Sequence, residues 1–176
     1  MSAALDPEDA ASWSAWASAA KKSAIDASLR ELYEHIEAAI AERGPTCWQS
    51  GKCCNFGAYG HRLYVTALEV AWFLGQAQRF PKTVATQGDI ALPQASSDDT
   101  CPFQIDRACS THRIRPLGCR VFFCQEGTQS WQQALYEKFL RRLRDIHRTH
   151  DVEYRYADWL ALLDEAERSG AIERAL

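Results

Sequence analysis

Seven cysteines carry the chemistry that this chain offers. They run Cys47-x5-Cys53-Cys54, then 46 intervening residues, then Cys101-x7-Cys109-x9-Cys119-x4-Cys124. A cysteine used only as a small hydrophobe scatters onto apolar helix faces. Here all seven fall in two short segments rich in Gly, Pro and polar residues. Such segments let several thiolates converge on one ion from different directions, and the ion replaces packing that irregular backbone lacks. A disulfide framework and reactive single thiols are the competing readings. The odd count prevents complete pairing, and the vicinal Cys53-Cys54 would close only a strained bridge.

The metal stays open between zinc and iron, the latter alone or as an iron–sulfur cluster. One tetrahedral zinc takes four ligands, so seven cysteines leave a surplus or imply more than one ion. Neither a pair of close zinc-finger doublets nor the bacterial ferredoxin run is present. Four thiolates around zinc(II) or a cubane core leave about two excess negative charges. Lys52, Arg107, Arg113, Arg115 and Arg120 stand near the cysteines to offset them. His61 and His112 lie inside the same segments as candidate nitrogen ligands.

The elements that must position these thiols are mainly helical. Asp6-Pro7-Glu8-Asp9 opens a helix that runs to about Lys21. Ile25, Leu29, Leu32, Ile36 and Ile40 mark a second, ended by Gly44-Pro45. A short strand is expected over 62–65. Thr66-x-x-Glu69 is a capping box opening a helix over 67–77. Residues 81–100 read as a long surface loop. A second capping box, Ser130-x-x-Gln133, opens a helix from Trp131 to about Thr149, with Leu135, Phe139, Leu143 and Ile146 as its apolar stripe. The last helix spans 157–169 and ends at Gly170. A short strand is expected over 121–123. The expectation is one small mainly α domain, 1–176, of about five helices around a Cys-rich metal-binding region, 47–124. Helices over 7–43 and 131–169 flank that region, with short strand pieces between.

The whole chain has 176 residues, 47% hydrophobic and 24% charged, with a net charge of −3. The mean hydropathy is −0.35 and the pI about 6.0. These values argue against disorder, a membrane span and a surface built to coat nucleic acid. The basic residues Lys138, Arg141, Arg142, Arg144 and Arg148 read as a solvated helix face. The tryptophans read as core or interface packing. His147 and His150 read as cations favoured at a helix C-terminus. An acidic start broken by serines does not look like an export signal, so the expected compartment is the reducing cytoplasm.

The motifs resemble those of the YkgJ-like cysteine-cluster family of zinc- or iron-chelating proteins, to which flagellin lysine N-methylase is related. The family pattern C-x2-C-G-x-C-C is matched by Cys47-Trp48-Gln49-Ser50-Gly51-Lys52-Cys53-Cys54, with Ser50 replacing its second cysteine. The second pattern is matched by Cys101-Pro102-Phe103 and by Cys109 through Arg113-Ile114-Arg115-Pro116 to Cys119-Arg120-Val121-Phe122, with His112 at the usual Tyr. The resemblance implies metal chelation by Cys47, Cys53, Cys54, Cys101, Cys109 and Cys119, with Cys124 as an addition just past the motif. It leaves the reaction undefined. An iron–sulfur redox or methyl-transfer enzyme is the alternative to a binding module, and a metal carrier or sensor is a third. The expected partner is the metal ion, a protein partner stays open, and neither a membrane nor nucleic acid is expected.

Overall fold

The computed structural model describes residues 5–45, 47, 51–77 and 99–171. Asp6 starts the first helix, α1 (Pro7–Ala20), by accepting from the Glu8 N–H at 2.9 Å. Glu8 and Asp9 then sit at the positive end of the helix dipole. One face of α1 buries Trp13 and Trp16 against α4 (Ala67–Ala77) and α7 (Trp159–Ser169). Helix α2 (Ser23–Ala41) buries Ile25, Leu29, Leu32, Tyr33 and Ile36, the expected stripe with Tyr33 added and with Ile40 only half-buried. It packs on α6 (Gln129–Thr149) and α5 (Leu117–Val121). Asp26 ties α2 to α4 by accepting from the Trp72 indole at 2.8 Å and from Gln76 at 3.1 Å.

Helix α4 is central and buried on nearly every side. Its capping box forms as expected. Thr66 Oγ1 accepts from the Glu69 N–H at 3.2 Å, and Glu69 Oε2 accepts from the Thr66 N–H at 3.1 Å. Just before it, β1 (Tyr64–Thr66) pairs antiparallel with β4 (Tyr156–Asp158), Val65 opposite Ala157. This ribbon feeds α7, capped by Asp158 through the Leu160 and Ala161 N–H groups. Gly170 ends α7 in the left-handed conformation at φ 61°.

Several expectations are corrected. Residues 117–121 form helix α5, not an irregular run leading to a strand over 121–123. Pro116 precedes its first turn, and Glu69 from α4 accepts the otherwise orphaned Leu117 N–H at 2.9 Å. Ser130 and Gln133 do not cap α6: Thr128 holds the N-cap position, and the Gln132 side chain instead bonds the Phe123 N–H and carbonyl at 3.1 and 3.0 Å. Ala157 belongs to β4, so α7 starts two residues later than expected. Short helix α3 (Phe56–Tyr59) and the hairpin β2 (Gln104–Ile105) and β3 (Ala108–Cys109) were not anticipated. Asp106 and Arg107 turn that hairpin with φ of 49° and 64°, as a two-residue primed turn requires. The loop expected over 81–100 lies outside the described residues except for Asp99 and Thr100. Among the described residues, no helix is long and apolar enough to cross a membrane.

His147 departs from its expected role as a cation at the helix end. It is 2% exposed, with Nδ1 at 3.2 and 3.1 Å from the Val152 and Glu153 carbonyls. Both partners are acceptors, so Nδ1 carries the proton, while the buried Nε2 has no partner. Burial holds its pKa below the ordinary 6.5. Its neutral form therefore contributes stability above about pH 6.5 that is lost as pH falls through the lowered value. The gap in urea midpoint between the parent and His147→Gln should narrow from about pH 7.5 to about pH 5. A gap independent of pH would refute this.

Candidate metal centre

Hydrogen bonds join the two cysteine segments across the sequence gap. The Cys101 N–H donates to the Cys54 carbonyl at 2.7 Å, and Asn55 bridges to Thr100. The Phe56 and Gly57 N–H groups both donate to the Asp99 carbonyl, at 2.9 and 3.2 Å. Gln104 Nε2 donates to the Gly51 carbonyl at 2.8 Å. Gly51 sits at φ 72°, and a Cβ there would meet the Arg107 carbonyl oxygen at 2.3 Å. Only glycine allows this close approach of the first segment to the β2–β3 hairpin. Cys53 and Cys54 ride a 3-10 turn (Lys52–Cys54), Cys109 ends β3, and Cys119 lies on α5. Cys119 thus rides a helix that the sequence reading did not contain.

Six of the seven sulfur residues line one cavity of about 90 Å³: Cys47, Cys53, Cys54, Cys101, Cys109 and Cys119. Phe73, Trp159, His112 and Arg115 also line it. Cys54 and Cys101 are buried, Cys53, Cys109 and Cys119 half-buried, and Cys47 exposed. Cys124 is half-buried and is not part of this lining. All seven are thiols, with no disulfide.

Shared protons organise the cavity. Cys54 is engaged by Cys101, Cys109 and Cys53, and these contacts push its thiol up, so it keeps the proton. Its Sγ lies 3.9 Å from that of Cys53. The same hydrogen bonding lowers its neighbours: Cys53 to about 7 and Cys109 to about 6, with Cys101 also lowered. Thr111 adds a contact at 3.7 Å to the Cys109 sulfur. Desolvation pushes Cys119 up. Arg115 favours the thiolate at Cys53, Cys109 and Cys119. Its guanidinium also bonds the His112 carbonyl at 2.9 Å and the Cys119 carbonyl at 3.3 Å.

Of the expected charge partners, Arg115 alone lines the cavity. Arg120 is buried, but it is spent on Glu37, the Arg113 and Arg115 carbonyls and the Tyr33 ring. Lys52 lies over the Tyr59 ring. His112 lines the cavity, and burial, with Arg115 and Arg120, lowers its pKa, favouring the neutral imidazole that a ligand needs. His61 instead stacks on Phe122 at 5.1 Å and meets the Cys53 carbonyl at 3.3 Å.

Among the described residues, no group of three or more His, Cys, Asp or Glu side chains is placed to hold a metal ion. The cavity lining offers three thiols with lowered pKa, Cys53, Cys101 and Cys109, two with raised pKa, Cys54 and Cys119, the His112 imidazole and the Arg115 cation. Buried Trp159 also lines this cavity. Sequence reasoning assigned Trp159 to packing, and no spacing in the sequence links it to Cys101. Comparison with protein-family models, curated proteins and solved structures finds no match.

Proposed function

We propose that this protein binds zinc or iron, the latter alone or as an iron–sulfur cluster, through the cysteines of the cavity. Cys53, Cys54, Cys101, Cys109 and Cys119 would supply the thiolates, with Cys47 at the exposed end. The observation that carries the proposal is the meeting of six sulfur residues from two distant segments around one cavity of about 90 Å³. Cys124 stands outside that lining and is left out of the ligand set. Arg115 offsets part of the thiolate charge, and the Glu69–Leu117 bond holds the helix that bears Cys119. Cysteines that form no disulfide suit a reducing compartment, which makes the cytoplasm the fitting location. The resemblance to the YkgJ-like family points to the same chemistry.

Six thiols exceed the four that one tetrahedral ion or one cubane cluster takes. The second reading is the one the resemblance carries: an iron–sulfur redox or methyl-transfer enzyme, resembling flagellin lysine N-methylase.

Elemental analysis of anaerobically purified protein, with its absorption spectrum, tests both readings. Iron with acid-labile sulfide and a brown colour is the outcome expected of a cluster. Zinc in a colourless protein would leave metal binding and remove the cluster reading. A chain that carries neither metal, and takes up neither when offered them, would refute the proposal.

A further inference from the structure

Asn55 and Thr100 pair as an antiparallel bridge between the two cysteine segments. The next residues out are Cys54 and Cys101, and the Cys101 N–H donates to the Cys54 carbonyl at 2.7 Å. On the other side of the bridge the Phe56 N–H donates to the Asp99 carbonyl at 2.9 Å, so the register is held from both ends. Residues facing each other across such a pair lie about 4.5–5.5 Å apart at Cα, with their side chains on one face. A disulfide spans about 4.4–6.8 Å between Cα atoms. Both side chains line the same cavity, and both are buried, Cys54 at 7% and Cys101 at 9% exposure. The other sulfurs lack this placement. Cys53 adjoins Cys54 in the chain, where a bridge is strained, and its Sγ stands 3.9 Å away. Cys109 is in register with Gln104 of its own hairpin and Cys119 sits on α5, so neither faces Cys54 across a strand pair.

We propose that Cys54 and Cys101 are a redox-active dithiol that a hydroperoxide closes to a disulfide. One sulfur, as thiolate, attacks the peroxide O–O bond and keeps one oxygen as a sulfenic acid. The hydroxide released takes up that thiol's proton and leaves as water. The second sulfur then attacks the sulfenic sulfur. The S–S bond forms, the S–O bond breaks, and the oxygen leaves as a second water with the second thiol's proton. Two thiols are oxidised, and the peroxide is reduced to two waters. A cavity of about 90 Å³ has room for hydrogen peroxide, whereas burial keeps both thiols from a bulky oxidant such as oxidised glutathione. Closure needs no metal. It takes two sulfurs out of the wall and ties its halves covalently, and a small dithiol reopens it by exchange.

Hydrogen peroxide treatment of the reduced, metal-free full-length chain tests this, with free thiols alkylated and tryptic peptides read by mass spectrometry. Cys101 is the only cysteine of peptide 83–107, and Cys53 and Cys54 share peptide 53–62. These two peptides should be joined, two hydrogens lighter than their sum. The bond should persist in Cys53→Ser and vanish in Cys54→Ser; the reverse would place it on Cys53 and overturn the pair. In urea the same chain should scatter its bridges among several cysteines. A folded chain that forms no bridge, or that joins other cysteines in preference, overturns the proposal. So does the same single pairing in urea, which would show that the fold does not select it. These outcomes are read on the unaltered chain and stand even if a serine variant does not fold. An equal concentration of oxidised glutathione should leave the pair reduced, and closure as fast as with peroxide overturns the hydroperoxide assignment. The bridge is read without any ion, so its failure and a failure of metal uptake are separate results.

Discussion

Protein with both Cys53→Ser and Cys119→Ser should retain about a tenth or less of the parent's metal after anaerobic purification. The pair removes one sulfur from each half of the cavity wall. A serine oxygen is harder and far less acidic than a thiol, so it does not replace a thiolate on zinc or iron. Far-UV circular dichroism should still report the helices. Their packing rests on Trp13, Trp16, Leu29, Leu68, Phe139 and Leu143, each at most 1% exposed. Hydrogen exchange should quicken over 51–56 and 101–121 and stay unchanged over α1 and α6, because the bound ion would brace the middle of the chain. Cys124→Ser is the matched control and should keep its metal. Full metal content in the double variant would refute the ligand assignment.

Glu69→Ala should cost about 3–5 kcal/mol of folding stability, read from the urea midpoint. Glu69 is 1% exposed and accepts from the Tyr33 hydroxyl at 3.1 Å, the Thr66 N–H at 3.1 Å and the Leu117 N–H at 2.9 Å. Alanine strands all three donors in the core, at about 1–3 kcal/mol for each one left unsatisfied. Domains of this size have about 5–15 kcal/mol in total, so a sizeable unfolded fraction should appear at equilibrium. Burial raises the Glu69 pKa, so the folded state favours its proton. Its contribution is then fullest below the usual carboxylate value and is lost as pH rises through the raised one. Glu69→Gln imitates the protonated acid and should cost less than alanine, with the shortfall smallest at high pH. A loss below about 1 kcal/mol for Glu69→Ala would show that the three donors find other partners.

These two residue sets also mark how far the sequence could be read. Local signals came through. The Thr66–Glu69 box, the apolar stripe of α2 and the Gly170 stop each depend on neighbours within a few residues, and each stands as expected. Readings failed where a distant partner decided the outcome. Helix α5 exists over 117–121 because a carboxylate from α4 caps it, 48 residues away in the chain. Ser130 matched a capping pattern, but Gln132 holds the chain entering α6 through Phe123, nine positions earlier. His147 carried a dipole argument that burial outweighs. In the site, the grouping of thiols was legible because cysteine is scarce and its spacing uneven. Trp159 was not: only the β1–β4 ribbon and the packing of α7 on α4 bring it to Cys101.

The amide of Cys101 holds the carbonyl of Cys54, and this contact uses no side-chain atom. Exchanging one sulfur for another group therefore leaves the neighbouring attachment points where they were. The two segments stay joined at this point whatever side chains those positions carry, so a single substitution probes the chemistry of the cavity without parting its halves.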